Sequence, residues 1–484
     1  MLILNKRWMA ALVLPALTFC ALSLGIANAD DDHRQRDFGL RVERMLEDQS
    51  KELFGFKKPL EESAPETTGP YRTSIQSASD QVLLAKGLEV EYLTRNAANL
   101  TDMMAFYPES NPTHLITCVE GGRALLSNGK FNPAVQRIHL GTGTVETILR
   151  GMSRCDGIRT TPWGTILATE ETTDGGAYEI LNPLTTTEQT VLDRATGSVS
   201  DPGNIAKRTA LPTMAWEGLI VLPSGVVIGG DELRPGTGVA DSDGGAIFKF
   251  IPTTLHTSSG PIGNLGDSPL VSGSVRAMQI LASNNQFGQG AEVGRGRWIS
   301  VNAATARTDA DANGATGYYR PEDLHQDPIF TDPANPQAVR FCWANTNNEA
   351  FSNYGEVVCA VDADPNLPSS IVIANRFVEG DPDFNSFDNL DFQPVTGNLY
   401  VIEDHDNGDI FACLPDGADR DIKTDGCVKM LSVKDTSAEP SGFIFSADGK
   451  TAYLSIQHSD DTNMPQVDGY GTDDVVKITG FRVK

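Results

Sequence analysis

Histidine is scarce, with seven in 484 residues, and the chain contains neither a His-Glu-x-x-His pair nor a Gly-x-Ser-x-Gly elbow. These absences argue against a histidine-rich zinc site and a serine-elbow hydrolase. Basic residues are also few. Lys and Arg number 38 against 64 Asp and Glu, a formal charge of −26, and no basic block interrupts the chain. A nucleic acid or an anionic membrane surface is a poor partner for such a chain. Past Ile26 no apolar run approaches the ~20 residues of a spanning helix. Acid is abundant, which suits hard cations with oxygen ligands. Turn formers are abundant too, with 46 Gly and 27 Pro, and a hydrophobic content of 40% suffices for a large core.

The N-terminus reads as an export signal. Lys6 and Arg7 precede an apolar run from Met9 to Ile26, and Ala27-Asn28-Ala29 forms a small-residue cleavage site before Asp30-Asp31-Asp32. The expectation is a signal peptide over residues 1–29, a periplasmic or extracellular mature protein, and no membrane attachment after cleavage. In an oxidising compartment the close pairs Cys342/Cys359 and Cys413/Cys427 read as disulfides. Cys118 and Cys155 are left open: they bond each other, sit buried, or one of them binds metal.

Residues 30–84 read as an arm, helical and charged from Asp37 to Leu60, and residues 85–484 as a single β domain. In that domain a turn with Pro or Asp leads to Gly, then an apolar run, then acids or polar groups. The theme appears at Thr161–Glu171, Pro223–Glu232, Pro394–Asp404 and Asp448–His458, with weaker copies from Gly296 and Gly355. The glycines of these turns recur every 40 to 70 residues, roughly, as expected of strand-and-turn repeats with insertions. The predicted fold class is all-β, a six-bladed β-propeller with loop insertions; an irregular β-sandwich is the alternative. A doubly wound α/β fold is disfavoured by the lack of amphipathic helices between strands.

Acids recur where the apolar runs end: Glu120 after Cys118-Val119, then Glu170-Glu171, Asp231-Glu232 and Glu403-Asp404. One such pair alone reads as a solvated turn. In a propeller, equivalent strand ends share one side of the disc, so the acids are expected to meet at one mouth of the channel. Buried together they repel unless cations bridge them. Other motifs fail on inspection. Asp309-Ala-Asp311-Ala-Asn313-Gly314 opens like a calcium-binding EF-hand loop, but its twelfth position is Arg320. Gly449-Lys450-Thr451 lacks the earlier glycine of a phosphate loop, where Ile444 stands. Asp381-Pro-Asp383-Phe-Asn385 reads as an Asx-turn loop before a calcium chelator, Trp163 as core, and His405 and His458 as hydrogen-bonded edge residues.

The ordered motifs resemble the PhoX-type alkaline phosphatases of secreted bacterial proteins. They are Cys155 with Thr161-Pro-Trp-Gly-Thr165 and Glu170-Glu171, Ala215-Trp-Glu217-Gly218, Gly229-Gly-Asp-Glu232, Phe248-Lys-Phe-Ile-Pro252, Arg320-Pro-Glu-Asp323, Thr346-Asn-Asn348, Asp388-Asn-Leu-Asp-Phe392 and Ser455-Ile-Gln-His458. The resemblance implies a six-bladed propeller that hydrolyses small-molecule phosphate monoesters at a calcium and iron (Fe3+) cluster. It implies Cys155 as an iron-bound thiolate, Asp102, Glu120, Glu170, Glu217, Glu322 and Asp404 as carboxylate ligands, and Arg320 as the catalytic, phosphate-binding arginine. The expected form is a monomer. Departures from the family pattern are Cys118-Val119 before Glu120, Trp216 before Glu217, and Lys6-Arg7 in place of twin arginines. Two rival readings are a non-catalytic, calcium-stabilised binding propeller and a lactonase-like calcium-dependent hydrolase. A cystine at Cys155 would remove the sulfur ligand.

Overall fold

The computed structural model describes residues 38–67, 72–234, 244–281, 293–347, 353–415, 426–457 and 464–483. The signal over residues 1–29 and His458 lie outside the described residues. Short apolar runs, each stopped by a turn with Gly, Pro or Asp, form mostly antiparallel strands, with Gln189–Asp193 parallel to Val145–Arg150, and among the described residues helices are few and short. The fold is all-β and propeller-like.

Six strands form the inner wall: β1 (Thr101–Tyr107), β2 (Cys155–Thr160), β3 (Trp216–Val221), β4 (Pro321–Gln326), β5 (Phe387–Phe392) and β6 (Glu439–Phe445). Each touches the next in chain order, and β6 touches β1, so the ring closes. From each inner strand an antiparallel meander runs outward. The meanders of β3 and β4 join at their outer edges, where Gly294–Val301 pairs with Ile371–Glu379, into one nine-stranded sheet. In the sheet of β6 the two ends of the domain meet. The early strand Glu89–Ala98 pairs with the late strand Thr472–Thr479, whose other edge pairs with Thr451–Gln457.

The spaces between sheets are filled by side chains alternating out of both. Trp163, Leu167, Trp216, Leu219, Phe248 and Phe250 form one such cluster. Tyr400, Phe443, Phe445 and Phe481 form another, joined by Leu46, Phe54 and Phe56 from the N-terminal segment. Each fully buried side chain of this size contributes roughly 1.5–3 kcal/mol. The helical expectation for Asp37 to Leu60 holds only in part: Phe38–Asp48 is a helix, Ser50–Leu53 adds one turn, and helix then stops. Gly55 ends it, with a left-handed φ of +82° and backbone so close to Arg482 that a Cβ would lie 2.7 Å from its amide nitrogen. Residues 42–484 make up one compact unit.

Cys342 and Cys359 stand opposite each other in adjacent strands and are disulfide-bonded, as are Cys413 and Cys427. No described helix is long and apolar enough to cross a membrane.

Candidate metal centre

The centre is built by one device used six times. In every inner strand the pairing with the next strand slips between two residues three apart: Thr101/Met104, Cys155/Ile158, Trp216/Leu219, Pro321/Leu324, Phe387/Leu390 and Ser441/Ile444. Such an irregularity bends a strand and re-aims its side chains. The residue just inside the slip is Asp102, Asp156, Glu217, Glu322, Asp388 and, in β6, Gly442. Five strands thus present an acid at the same place. The sixth has no room for one, because a Cβ on Gly442 would lie 2.3 Å from the Asp102 carbonyl oxygen. Glycine at 157 lets β2 and β3 approach closely: a Cβ there would meet the Glu217 carbonyl at 1.9 Å.

A second tier comes from the neighbouring strands. The residue directly after each is Glu120, Glu171, Glu232, Thr346 and Asp404. Side chains alternate across a strand, so the residue before each of these faces away. Glu170 accepts backbone N–H groups from Ser153 (2.9 Å) and Gly176 (3.2 Å) and pairs with Arg194 at 2.7 Å. Asp231 accepts Ala215 N–H at 3.0 Å and pairs with Arg307 at 2.7 Å. Glu403 accepts Asn385 and Asp409 N–H at 2.9 and 3.0 Å. Glu170 is therefore corrected from ligand to structural anchor, and Glu171 holds the place expected of it.

Among the described residues, two acid groups are close enough to share an ion. Asp102, Glu120 and Asp156 each offer an oxygen within 4.8 Å of the others, and so do Glu217, Glu322 and Asp388. Like charges at that distance repel by about 3 kcal/mol per pair at an effective dielectric of 20. The cost appears as proton uptake. Asp102 is pushed up to about 7 by burial and then by Glu120. Glu322 is pushed up to about 8 by burial, with Arg320 opposing and Glu232 and Asp404 adding. Asp156, Glu217 and Asp388 lie well above the usual carboxylate range, again by burial first and neighbouring acids second. Burial and a hydrogen bond to Glu232 raise Glu171 too, while in Glu232 burial is outweighed by that same bond and by Arg320, which lower it.

Two arginines face the acids. Arg320 pairs with Glu232 at 2.5 Å, Glu322 at 3.1 Å and Asp404 at 3.4 Å. Arg154 pairs with Glu120 and with Glu171, the latter through Nε at 2.7 Å. Asp102 is further held by Ser441 and by Gln457 Nε2 at 2.6 Å. Of the residues expected from sequence, the structure brings together Asp102, Glu120, Glu217, Glu322, Asp404 and Arg320.

Cys155 is corrected as well. Its sulfur is bonded to Cys118, so it offers no thiolate. Both sulfurs lie fully buried in an apolar cluster with Met103, Ile116 and Ile158. Thiolate-held iron therefore does not fit these residues. Hard cations such as calcium do fit. The donors are carboxylate oxygens, and buried atoms of three of them (Asp156 Oδ1, Glu217 Oε2 and Glu322 Oε2) have no hydrogen-bond partner.

Sequence reasoning gives Asp156 and Asp388 no place in the centre, and it brings Glu171 and Glu232 to the channel mouth without naming them as ligands. The usable signal was a shared place: each ring acid stands second in an inner strand after a turn, and four of the preceding residues (Leu100, Arg154, Arg320 and Ser386) have left-handed φ. Among the other readings, Trp163 is core, donating Nε1–H to Glu179 at 2.6 Å. Asp381 accepts the Asp383 N–H at 2.8 Å in an Asx turn.

Residues 234–460 match the family model of alkaline phosphatase PhoX. The PhoX-matched span carries Arg320, Glu322, Asp388 and Asp404, and it follows the acids of the first three sheets. The motifs that carry the sequence resemblance agree with it there. No curated protein matches the chain. Solved structures similar in architecture include a luciferin-regenerating enzyme (10% identity, TM-score 0.40, 82% of this chain and 97% of that one). Others are the PQQ domain of a pyranose dehydrogenase from Coprinopsis cinerea (12%, 0.37, 85% and 100%) and a soluble aldose sugar dehydrogenase from Escherichia coli (10%, 0.38, 81% and 99%).

Proposed function

We propose that this protein is an exported phosphatase that hydrolyses small phosphate monoesters at a calcium-charged acid ring. The observation that carries the reading is the convergence of five strand-borne acids, with unpartnered oxygens, beside the Arg320 guanidinium in a chain with a PhoX-matched span. Asp102, Glu120 and Asp156 would hold one cation and Glu217, Glu322 and Asp388 another, with Glu171, Glu232 and Asp404 completing the shell. Bound divalent cations supply charge neutralisation at the phosphoryl oxygens and activation of water.

The chain's own residues do the rest. Arg320, paired with Glu232, Glu322 and Asp404, would grip two phosphoryl oxygens with its planar fork. Arg154, paired with Glu120 and Glu171, would serve a further phosphoryl oxygen. Glu171 and Glu232, which share a hydrogen bond, are the acids that would hold a proton for the leaving oxygen. Removing the positive charge of the cations restores the acidic field, which repels a phosphate ester.

The test is release of inorganic phosphate from an aryl phosphate by purified protein, with calcium and with a chelator. Calcium-dependent release is expected. A calcium-loaded protein that releases none from neutral to alkaline pH overturns the reading.

A further inference from the structure

The Cys118–Cys155 cystine joins two strands that no backbone ladder joins. Cys118 lies in the strand His114–Val119 of the first sheet, and Cys155 opens β2 of the second. Each sulfur sits next to a carboxylate of the first acid group: Glu120 is two residues beyond Cys118, and Asp156 directly follows Cys155. The bond therefore ties together the two strands that bring Glu120 and Asp156 within 4.8 Å of each other and of Asp102. Those three acids repel when no ion is present, and the cross-link is a covalent restraint on their separation across the sheet boundary.

We infer that the centre is sulfur-free, takes hard divalent cations of the calcium type in both acid groups, and depends on the cystine to position Glu120 and Asp156 in the first. The inference rests on the metal-centre part of the functional reading and not on phosphatase chemistry. An ion entering a group whose acids are already spaced spends none of its binding free energy on drawing strands together. Groups that hold ligands in place change metal affinity by about 10- to 100-fold. The second group, Glu217, Glu322 and Asp388, lies on β3, β4 and β5 and includes no cystine-linked strand, so it is the internal control. Cleaving the bond with a dithiol takes two electrons and two protons, leaves two thiols, and converts the dithiol to its cyclic disulfide. It would both loosen the first group and free a sulfur donor beside it.

The experiment uses full-chain protein made in an oxidising compartment. Thiol titration in denaturant is expected to find Cys118 and Cys155 unreactive, and metal analysis to find calcium without iron. Calcium calorimetry is expected to resolve two sites. In Cys118→Ala/Cys155→Ala one site weakens by about 10- to 100-fold while the other keeps its affinity; adding Asp388→Asn then removes the site that was kept. Should the double variant fail to fold, Cys118→Val/Cys155→Ala, which refills the buried apolar cluster without sulfur, gives the same comparison. Stoichiometric iron with a visible thiolate-to-iron absorption band that Cys155→Ala abolishes overturns the inference. Unchanged calcium affinity at both sites after loss of the cystine overturns it as well. None of these readouts uses phosphate release, so an inactive protein that gives them sinks the phosphatase reading alone.

Discussion

Arg154 and Arg320 occupy the same place in two different sheets. Each has a left-handed backbone, at φ +51° and +46°, directly before an inner strand. Each stands two residues before a ring acid, Asp156 and Glu322. Each pairs with the second-tier acid of the meander before its own, Glu120 for Arg154 and Glu232 for Arg320. The Glu171 carboxyl, paired with Arg154, hydrogen-bonds to Glu232, paired with Arg320, so the two guanidinium groups are ends of one chain of polar contacts.

Replacing Arg320 by Ala is expected to lower kcat by about 100- to 1000-fold, the usual loss for one oriented charge-stabilising donor. Arg320→Lys should recover only part, because the planar fork is gone. Arg154→Ala should cost less, since its side chain is 45% exposed against 16% for Arg320. Steady-state kinetics on an aryl phosphate, with calcium content measured on each variant, decides this. Equal rates for wild type and Arg320→Ala would remove the arginine from the chemistry.

Without ions, stability should fall as pH rises. Asp102 and Glu322 titrate at about 7 and about 8 in the folded protein, against 3.8 and 4.5 as ordinary values. Between about pH 4 and pH 8 the folded state therefore holds more protons than the unfolded one, and the unfolding free energy declines with pH. Thermal melts in chelator should show Tm dropping across this window, and calcium should flatten the slope. A flat profile in chelator speaks against crowded, buried acids.

Glu170 and Glu171 are neighbours with opposite jobs. Glu170→Gln leaves Arg194 without its buried partner and should destabilise by about 3 kcal/mol, with calcium content unchanged. Glu171→Gln should disturb the ion-free melt less, because burial and the hydrogen bond to Glu232 already favour its uncharged form, but should weaken calcium binding. Melts and calcium titrations of both variants test the pair, and the reverse pattern would return Glu170 to the centre.

Lys249 and Asp362 form an ion pair of 2.7 Å whose side chains are both fully buried. Lys249→Met strands the aspartate and should cost about 3–5 kcal/mol. Lys249→Met/Asp362→Leu should regain most of that, since two apolar groups leave no buried charge behind. Denaturant unfolding of the two variants measures it.

The strand-and-turn body was legible because its signals are local: a glycine turn, an apolar run, an acid at the end. Local pattern alone exposed the site only where an acid follows an unmistakable strand, as Glu120 and Asp404 do; Asp102, Glu217, Glu322 and Arg320 were legible through the motifs of the family resemblance. Which of two adjacent acids faces the centre depends on register, and the slip at Cys155/Ile158 leaves no mark in composition. Asp156 went unseen beside Cys155, whose sulfur drew the attention. The fate of that sulfur was set by Cys118, 37 residues earlier, and pairing across two sheets is not a sequence-local property. Gly55 likewise stops a helix for a reason that lies at Arg482, at the far end of the chain.

Asp102 is steadied by Ser441 and Gln457, which the chain delivers 339 and 355 residues later. During synthesis, then, the first acid group stays unfinished until the last sheet has been made and the strand Glu89–Ala98 has been captured by Thr472–Thr479. A truncated or half-assembled product presents only part of the cage, so tight retention of the proposed cation would double as a certificate that the circle has been completed.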